Sequence, residues 1–337
     1  MAPAAAGTIE SGALDLRRMW QLVRAAPTDH ADEARLEWAK DFSLDKTIFY
    51  SLRGWVRREM VASRVGVRPF WSDGAAVRIT EAYAAVPRAP AHDLALKDFL
   101  SKECNFGLEH ADGSFADHLK FCYEYSFVHY RQHSPRVLLL HSILGVGTNF
   151  FPMDKQKIPA LRALLTEFEF AHVQAFPSVL RLLYHGALLD KLVAMDAAAL
   201  RRISGLRCHR VIDNAEVELD GTNFWVMLNF QLVHLLDFLP LVSWKLHADD
   251  AFLDNFVKLL AVLQRAGKLE AKVDFNASEG KSDPDALPGR SLGSMLRGVL
   301  PSKTLLRASR DSMADFSKQI GHNLSFELLT ATKGAAL

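Results

Sequence analysis

The chain has 337 residues, 49% of them hydrophobic and 23% charged, a balance that builds a sizeable core and excludes a fibrous or wholly disordered chain. Its 40 basic and 39 acidic residues leave a net charge of +1, so no global field draws it onto nucleic acid or acidic lipid. The three cysteines, Cys104, Cys122 and Cys208, are widely spaced with no Cys-x-x-Cys pair, which argues against a disulfide framework or a zinc knuckle and for a reduced, cytoplasmic setting.

Residues 1–12 read as disordered, and Glu10 and Asp15 interrupt the Ala-rich start, so no secretory signal is expected; an organelle presequence stays open. Residues 13–104 read as an N-terminal helical region. Leu16, Met19, Trp20 and Val23 mark a short amphipathic helix ended before Pro27, and a second spans Asp32–Lys40. Asp45 caps a longer one with Ile48, Leu52, Trp55, Val56 and Met60 inward, while Arg53, Arg57 and Arg58 form a solvated face. Val77–Tyr83 suits a strand. Asp93 caps a helix to Lys102, which makes the His92-Asp93 dipeptide a helix start rather than a site.

The informative stretch is Phe106–Phe151, which holds five of the 13 histidines: His110, His118, His129, His133 and His141. Ser114, with Asp117 three residues on, starts a helix whose face is Phe115, Leu119, Cys122 and Ser126. Ser134-Pro135 starts a second, apolar over Val137–Leu140, which ends in His141 and stops at Gly145. A buried imidazole needs a partner, because an unmet buried polar group costs about 1–3 kcal/mol. His129 and His133, at i and i+4, could form a metal pair on a helix, but Arg131, Gln132 and Ser134 around them favour an exposed helix end.

Beyond the stretch, Ile158–Phe170 reads as helical, and Pro177 opens another helix through Tyr184. Ala187–Ile203 reads as two helical pieces, and Asp213-Asn214 as the turn of a small hairpin. Phe224–Trp244 is the most apolar run, but Asn229, Gln231, His234 and Asp237 make it a buried helix rather than a bilayer span; Thr222 or Asn223 caps it. An amphipathic helix follows over Asp250–Arg265, then a linker at 276–290 and an amphipathic, basic tail at 291–337. The tail docks back on the domain or meets a partner or membrane surface; docking is the plainer reading.

His118, followed 23 residues later by an apolar helix ending in His141, resembles the core of the HD-like all-α superfamily, which includes metal-dependent phosphohydrolases and inositol-oxygenase-type iron enzymes. The Ala-Asp-Gly-Ser…Asp-His-Leu…His-Ser-Ile-Leu-Gly pattern is similar to an uncharacterised group in which serine replaces the aspartate of the His-Asp pair. The resemblance covers roughly residues 105–240, within a core bounded here at 105–275, and implies a mostly α bundle. It implies His118 and His141 as metal ligands, with Asp237 as the late carboxylate. Ser142 stands where the family has its aspartate, and a neutral hydroxyl is a poor ligand, so the implied site holds one metal or none.

His110, His118 and His141, converging from three backbone segments, suit one divalent ion (iron, manganese or zinc) or an anionic substrate. His234 and Asp237 share a side of the late helix, and His172 is a weaker member; Glu167 and Glu169 are carboxylates expected on solvent. One expectation is therefore a metal-dependent hydrolase or oxygenase acting on a small molecule, phosphorylated or not. In it His118, His141 and Asp237 hold the ion, and His110, with Asp237, serves the chemistry. The other is a non-catalytic HD-like scaffold that has lost its metal and binds a ligand or protein partner, as a subunit of a larger assembly. No dinucleotide fingerprint, nucleophile elbow, Walker loop or nucleic-acid surface is present: Gly145-Val-Gly-Thr-Asn-Phe lacks the third glycine and follows a helix.

Overall fold

A computed structural model places residues 95–96, 99–100, 109–110, 113–145, 151–238, 251–273 and 304–331, and the fold is described for these alone. The expected helices before residue 90, the strand at Val77–Tyr83, the His92-Asp93 dipeptide and the 276–290 linker lie outside them.

Two-residue strands β1 (Glu109–His110) and β2 (Gly113–Ser114) pair antiparallel and lead into α1 (Phe115–His129). A short turn connects it to α2 (Arg136–Leu140), so the pair forms a helical hairpin. Val137–Leu140 are all buried, as their unbroken apolar run requires. After a single 3-10 turn come α3 (Ile158–Ala163), α4 (Glu167–His185), α5 (Ala187–Ala194) and α6 (Ala197–Arg201). The strands β3 (Ile203–His209) and β4 (Glu216–Asp220) precede α7 (Gly221–Phe238) and α8 (Ala251–Ala266); α9 (Thr304–Gln319) and β5 (Glu327–Thr330) close the described chain. The described architecture is mostly helical, with the two-residue β1–β2 ladder and one small three-stranded sheet.

Several boundaries differ from the sequence reading for identifiable reasons. Ile158–Phe170 is broken at Leu164–Thr166, because Thr166 and Glu169 form a reciprocal capping box that starts α4 afresh. Pro177 does not open a helix; it sits inside α4. Burial of Phe176, Pro177 and Val179 supplies the packing that outweighs the missing N–H. At the start of α7 the cap is Asp220, whose Oδ1 accepts from Asn223 N at 2.8 Å, rather than Thr222 or Asn223. The expected hairpin is β3–β4, with Asn214 at φ 58 in its turn and Arg210 bridging Asp213 at 2.6 Å.

The sheet has a third strand that local pattern could not show. β5 pairs with the other edge of β3, giving the antiparallel order β4-β3-β5. Gly205 permits the close packing of β3, since a Cβ there would lie 2.5 Å from Leu219 O. The tail's described part thus docks on the core. Arg310 forms two hydrogen bonds with Asp190, and the fully buried Arg181 of α4 donates to Ser317 Oγ at 3.0 Å. Asn214 donates to Gly321 O and accepts from Asn323 N.

Two apolar clusters result. One takes in α4, α5, α7, α8 and the inner face of the sheet; the other gathers Leu119, Leu140, Ile143, Leu144, Phe151 and Val173 with Ile320 of the tail. From Phe224 to Leu236 α7 is buried throughout, so its polar residues must be satisfied from within. Asn229 shows how: its amide donates to Trp225 O and Lys268 O, and its oxygen accepts from Glu270 N and Ala271 N. Among the described residues no helix is long and apolar enough to cross a membrane.

Candidate functional site: a ring seam between α4 and α7

Spacing on three elements builds one continuous seam of rings. Phe168, His172 and Phe176 follow at four-residue steps on α4, Phe230 and His234 at the same step on α7, and the α1–α2 hairpin adds Tyr130, His133 and His141. At one end the His133 ring stacks on Phe168 at 5.4 Å, and Phe168 meets His172 at 4.2 Å. Phe230 closes that end at 5.6 Å from His172 and 5.2 Å from Tyr130. At the other end Phe176 packs against both His141 (4.7 Å) and His234 (5.2 Å), whose own ring centres are 4.5 Å apart at 71°.

The two ends differ in what their imidazoles have left to offer. His172 is fully buried, with Nδ1 2.8 Å from Phe168 O and Nε2 3.2 Å from Asn223 O. Burial pushes its pKa down to about 4, against the pull of the two carbonyls, and a charge on His133 lowers it further. A neutral imidazole carries one proton, so His172 donates to one of these carbonyls and only lies against the other; with backbone facing both nitrogens, it packs α4 against the start of α7. His141 is also fully buried, with Nδ1 2.6 Å from Leu138 O. A carbonyl only accepts, so Nδ1 carries the proton and Nε2 is the lone-pair nitrogen. A ligating histidine is oriented in the same way.

The His141 and His234 rings meet edge to face, a spacing that ordinary ring packing shares with two ligands of one ion. A metal–nitrogen bond of about 2.0–2.1 Å puts each ring centre ~3.2 Å from the ion, so two adjacent ligands have centres roughly 4.5–5 Å apart. The observed separation falls there. Asp237 follows His234 by three residues on α7 and so shares its side of the helix. His118 lies in the first turn of α1. His110 is in β1. The side chains of His110, His118 and Asp237 fall outside the described residues. Ser142 is 4% exposed and puts no carboxylate beside His141. Among the described residues no group of three or more His, Cys, Asp or Glu side chains is placed to hold a metal.

Three sequence expectations change. His129 and His133 cannot form an i, i+4 pair, because α1 ends at His129. His129 lies against Tyr125, and His133 sits half-buried among Tyr130, Phe168 and Phe230 with Nε2 3.4 Å from Glu270. Glu169 is 3% exposed rather than on solvent, accepting from Ser134 Oγ at 2.6 Å and from Thr166 N, with Arg136 at 3.5 Å; Glu167 is exposed as expected. His234, a secondary candidate by sequence, becomes central because α4 brings Phe176 against it. Gln231 was legible only as one more polar residue in an apolar helix. The Cys208 thiol, pushed up to about 12 by burial, has no nucleophilic part to play.

No family model, no curated protein and no solved structure matches this chain.

Proposed function

We propose that the protein is a metal-dependent enzyme of HD-like character, a hydrolase or oxygenase, acting on a small molecule, phosphorylated or not, at the His141–His234 end of the seam. His141 and His234 hold one iron, manganese or zinc ion, His118 and Asp237 complete its ligand set, and His110 orients substrate or water. When bound, the ion acts as a Lewis acid on the substrate or its attacking water. The chain's own contribution is to fix the His141 tautomer through Leu138 O, hold the two rings against Phe176, and exclude bulk water by burial. Ser142 favours one ion over two. The observation that carries this reading is an imidazole with Nδ1 committed to a carbonyl 2.6 Å away and its ring 4.5 Å from a second imidazole.

Metal analysis of protein purified without chelator tests it. Stoichiometric iron, manganese or zinc is expected, lost in folded His141→Ala and His234→Ala variants. A metal-free wild-type protein that takes up none of the three on dialysis overturns it. The second reading, an HD-like scaffold whose inward histidines only fix helix packing, is favoured by His172, which does that at the other end of the same seam.

A further inference from the structure

Three histidines line the seam by which the tail, α9 and β5 with the turn between them, docks on the core. His322 donates from Nε2 to His209 O at 2.9 Å. His209 meets the tail at both ring nitrogens: Nδ1 is 3.3 Å from Ser325 O, and Nε2 is 3.4 Å from Asn323 Nδ2. The Asn323 amide has one orientation, because its Oδ1 accepts from Ser325 N at 2.9 Å and leaves Nδ2 toward the ring. Nδ2 only donates, so Nε2 meets it with a lone pair, and Nδ1 carries the proton that goes to Ser325 O. A second proton on this ring sets an N–H against an N–H. Glu216, directly across on β4, draws that proton, but Arg207 already lies 3.5 Å from its carboxylate, and Arg210, next in sequence, is paired with Asp213.

A second contact of the tail has the same sensitivity. His185, the last residue of α4, has its Nδ1 buried with no hydrogen-bond partner among the described residues. Gly186 follows in the left-handed region at φ 90, and Arg310 of α9 crosses it so closely that a Cβ there would lie 2.5 Å from Arg310 Cζ. The guanidinium reaches on to Asp190 of α5. A proton on His185 therefore adds a half-buried cation beside a cation, with Asp311 the opposing charge from α9. Burial first, and Arg310 after it, hold the His185 pKa below its ordinary value.

We propose that the tail is an acid-released latch, docked while His185 and His209 are neutral and parted from the core once both are protonated, which opens the side of β3 that β5 covers. The docked tail favours neutral His185, so docking is complete above about pH 6.5 and weakens as pH falls below it. The latch stands apart from the metal reading.

Hydrogen exchange of the full chain at about pH 7.5 and about pH 5.5, with amide rates corrected for the intrinsic effect of pH, tests this by comparing α9 and β5 with α4. At the lower pH, protection of α9 and β5 is expected to fall about tenfold while that of α4 holds. The double variant His185→Gln, His209→Gln, whose amides donate and accept without taking up a proton, is expected to keep tail protection at both pH values. His185→Gln alone, at a half-buried position, serves if the pair does not fold, and is expected to retain part of that protection. Unchanged tail protection of the wild-type chain at the lower pH overturns the proposal. So does an equal fall in the variants, or a fall in α4 that matches the tail's, which marks global acid unfolding.

Discussion

At one end of the α4–α7 seam, His172 has each ring nitrogen against a backbone carbonyl and is held neutral by burial; at the other, His141 has one nitrogen so committed and a second imidazole beside it. Both are fully buried, and both pack on aromatic rings of α4. Burial and residue type therefore do not separate a packing histidine from a candidate ligand. What meets each ring does: His172 has a backbone carbonyl facing both of its nitrogens, whereas His141 has a carbonyl at Nδ1 and a second imidazole beside its ring.

The comparison breaks most visibly in metal uptake. His141→Ala is expected to lose at least about 100-fold in affinity for zinc or manganese, measured by equilibrium dialysis, while His172→Ala keeps wild-type stoichiometry. Equal losses in both would erase the distinction between the two ends. The stability cost is expected to run the other way for His172→Ala: on the order of 3 kcal/mol in urea unfolding, from the cavity left and the one carbonyl stripped of its donor.

Acid should report the same end. The folded-state pKa of His172 lies near 4, below the ordinary 6.5, so the unfolded chain takes up a proton that the folded chain refuses. Its contribution to stability is complete above about pH 6.5, is lost as pH falls through the window to about 4, and changes little below that. The loss is on the order of 3 kcal/mol, with His129 and His185, also lowered chiefly by burial, acting in the same direction. Urea midpoints at a series of pH values should show this slope, and it should flatten in His172→Ala. The smallest expected effect sharpens the contrast: Phe176→Leu and Phe168→Leu each cost about 1 kcal/mol, but only the first weakens metal affinity, by a few-fold, because only Phe176 braces the imidazole pair.

Much of the helical order was legible, because capping residues and apolar spacing are local. The Val137–Leu140 run located α2, although Pro135 rather than Ser134 is its N-cap and the Ser134 hydroxyl donates to Glu169 instead; Gly267 ended α8, and Asp213-Asn214 located the hairpin turn. Pro177 misled because its local preference is overridden by packing on every side of α4, which is information no short window holds. β5 was invisible for a related reason, as Glu-Leu-Leu-Thr carries no strand signal until β3 offers it an edge. At the site, the sequence singled out His141 through its place at the end of an apolar helix. It ranked His172 and His234 together, since what separates them is which backbone carbonyls α4 and α7 bring within reach.

The pairing of β5 with β3 also sets a timetable. Arg207 and Glu327, joined across those strands at 2.8 Å, are 120 positions apart in the chain. At the usual pace of synthesis, about 5–20 residues per second, β3 therefore leaves the ribosome roughly 6–24 s before its second neighbour exists. During that interval one side of the central strand offers open backbone donors and acceptors to any passing extended chain. Until β5 arrives, that unpaired edge is where the newborn chain is open to wrong strand pairing.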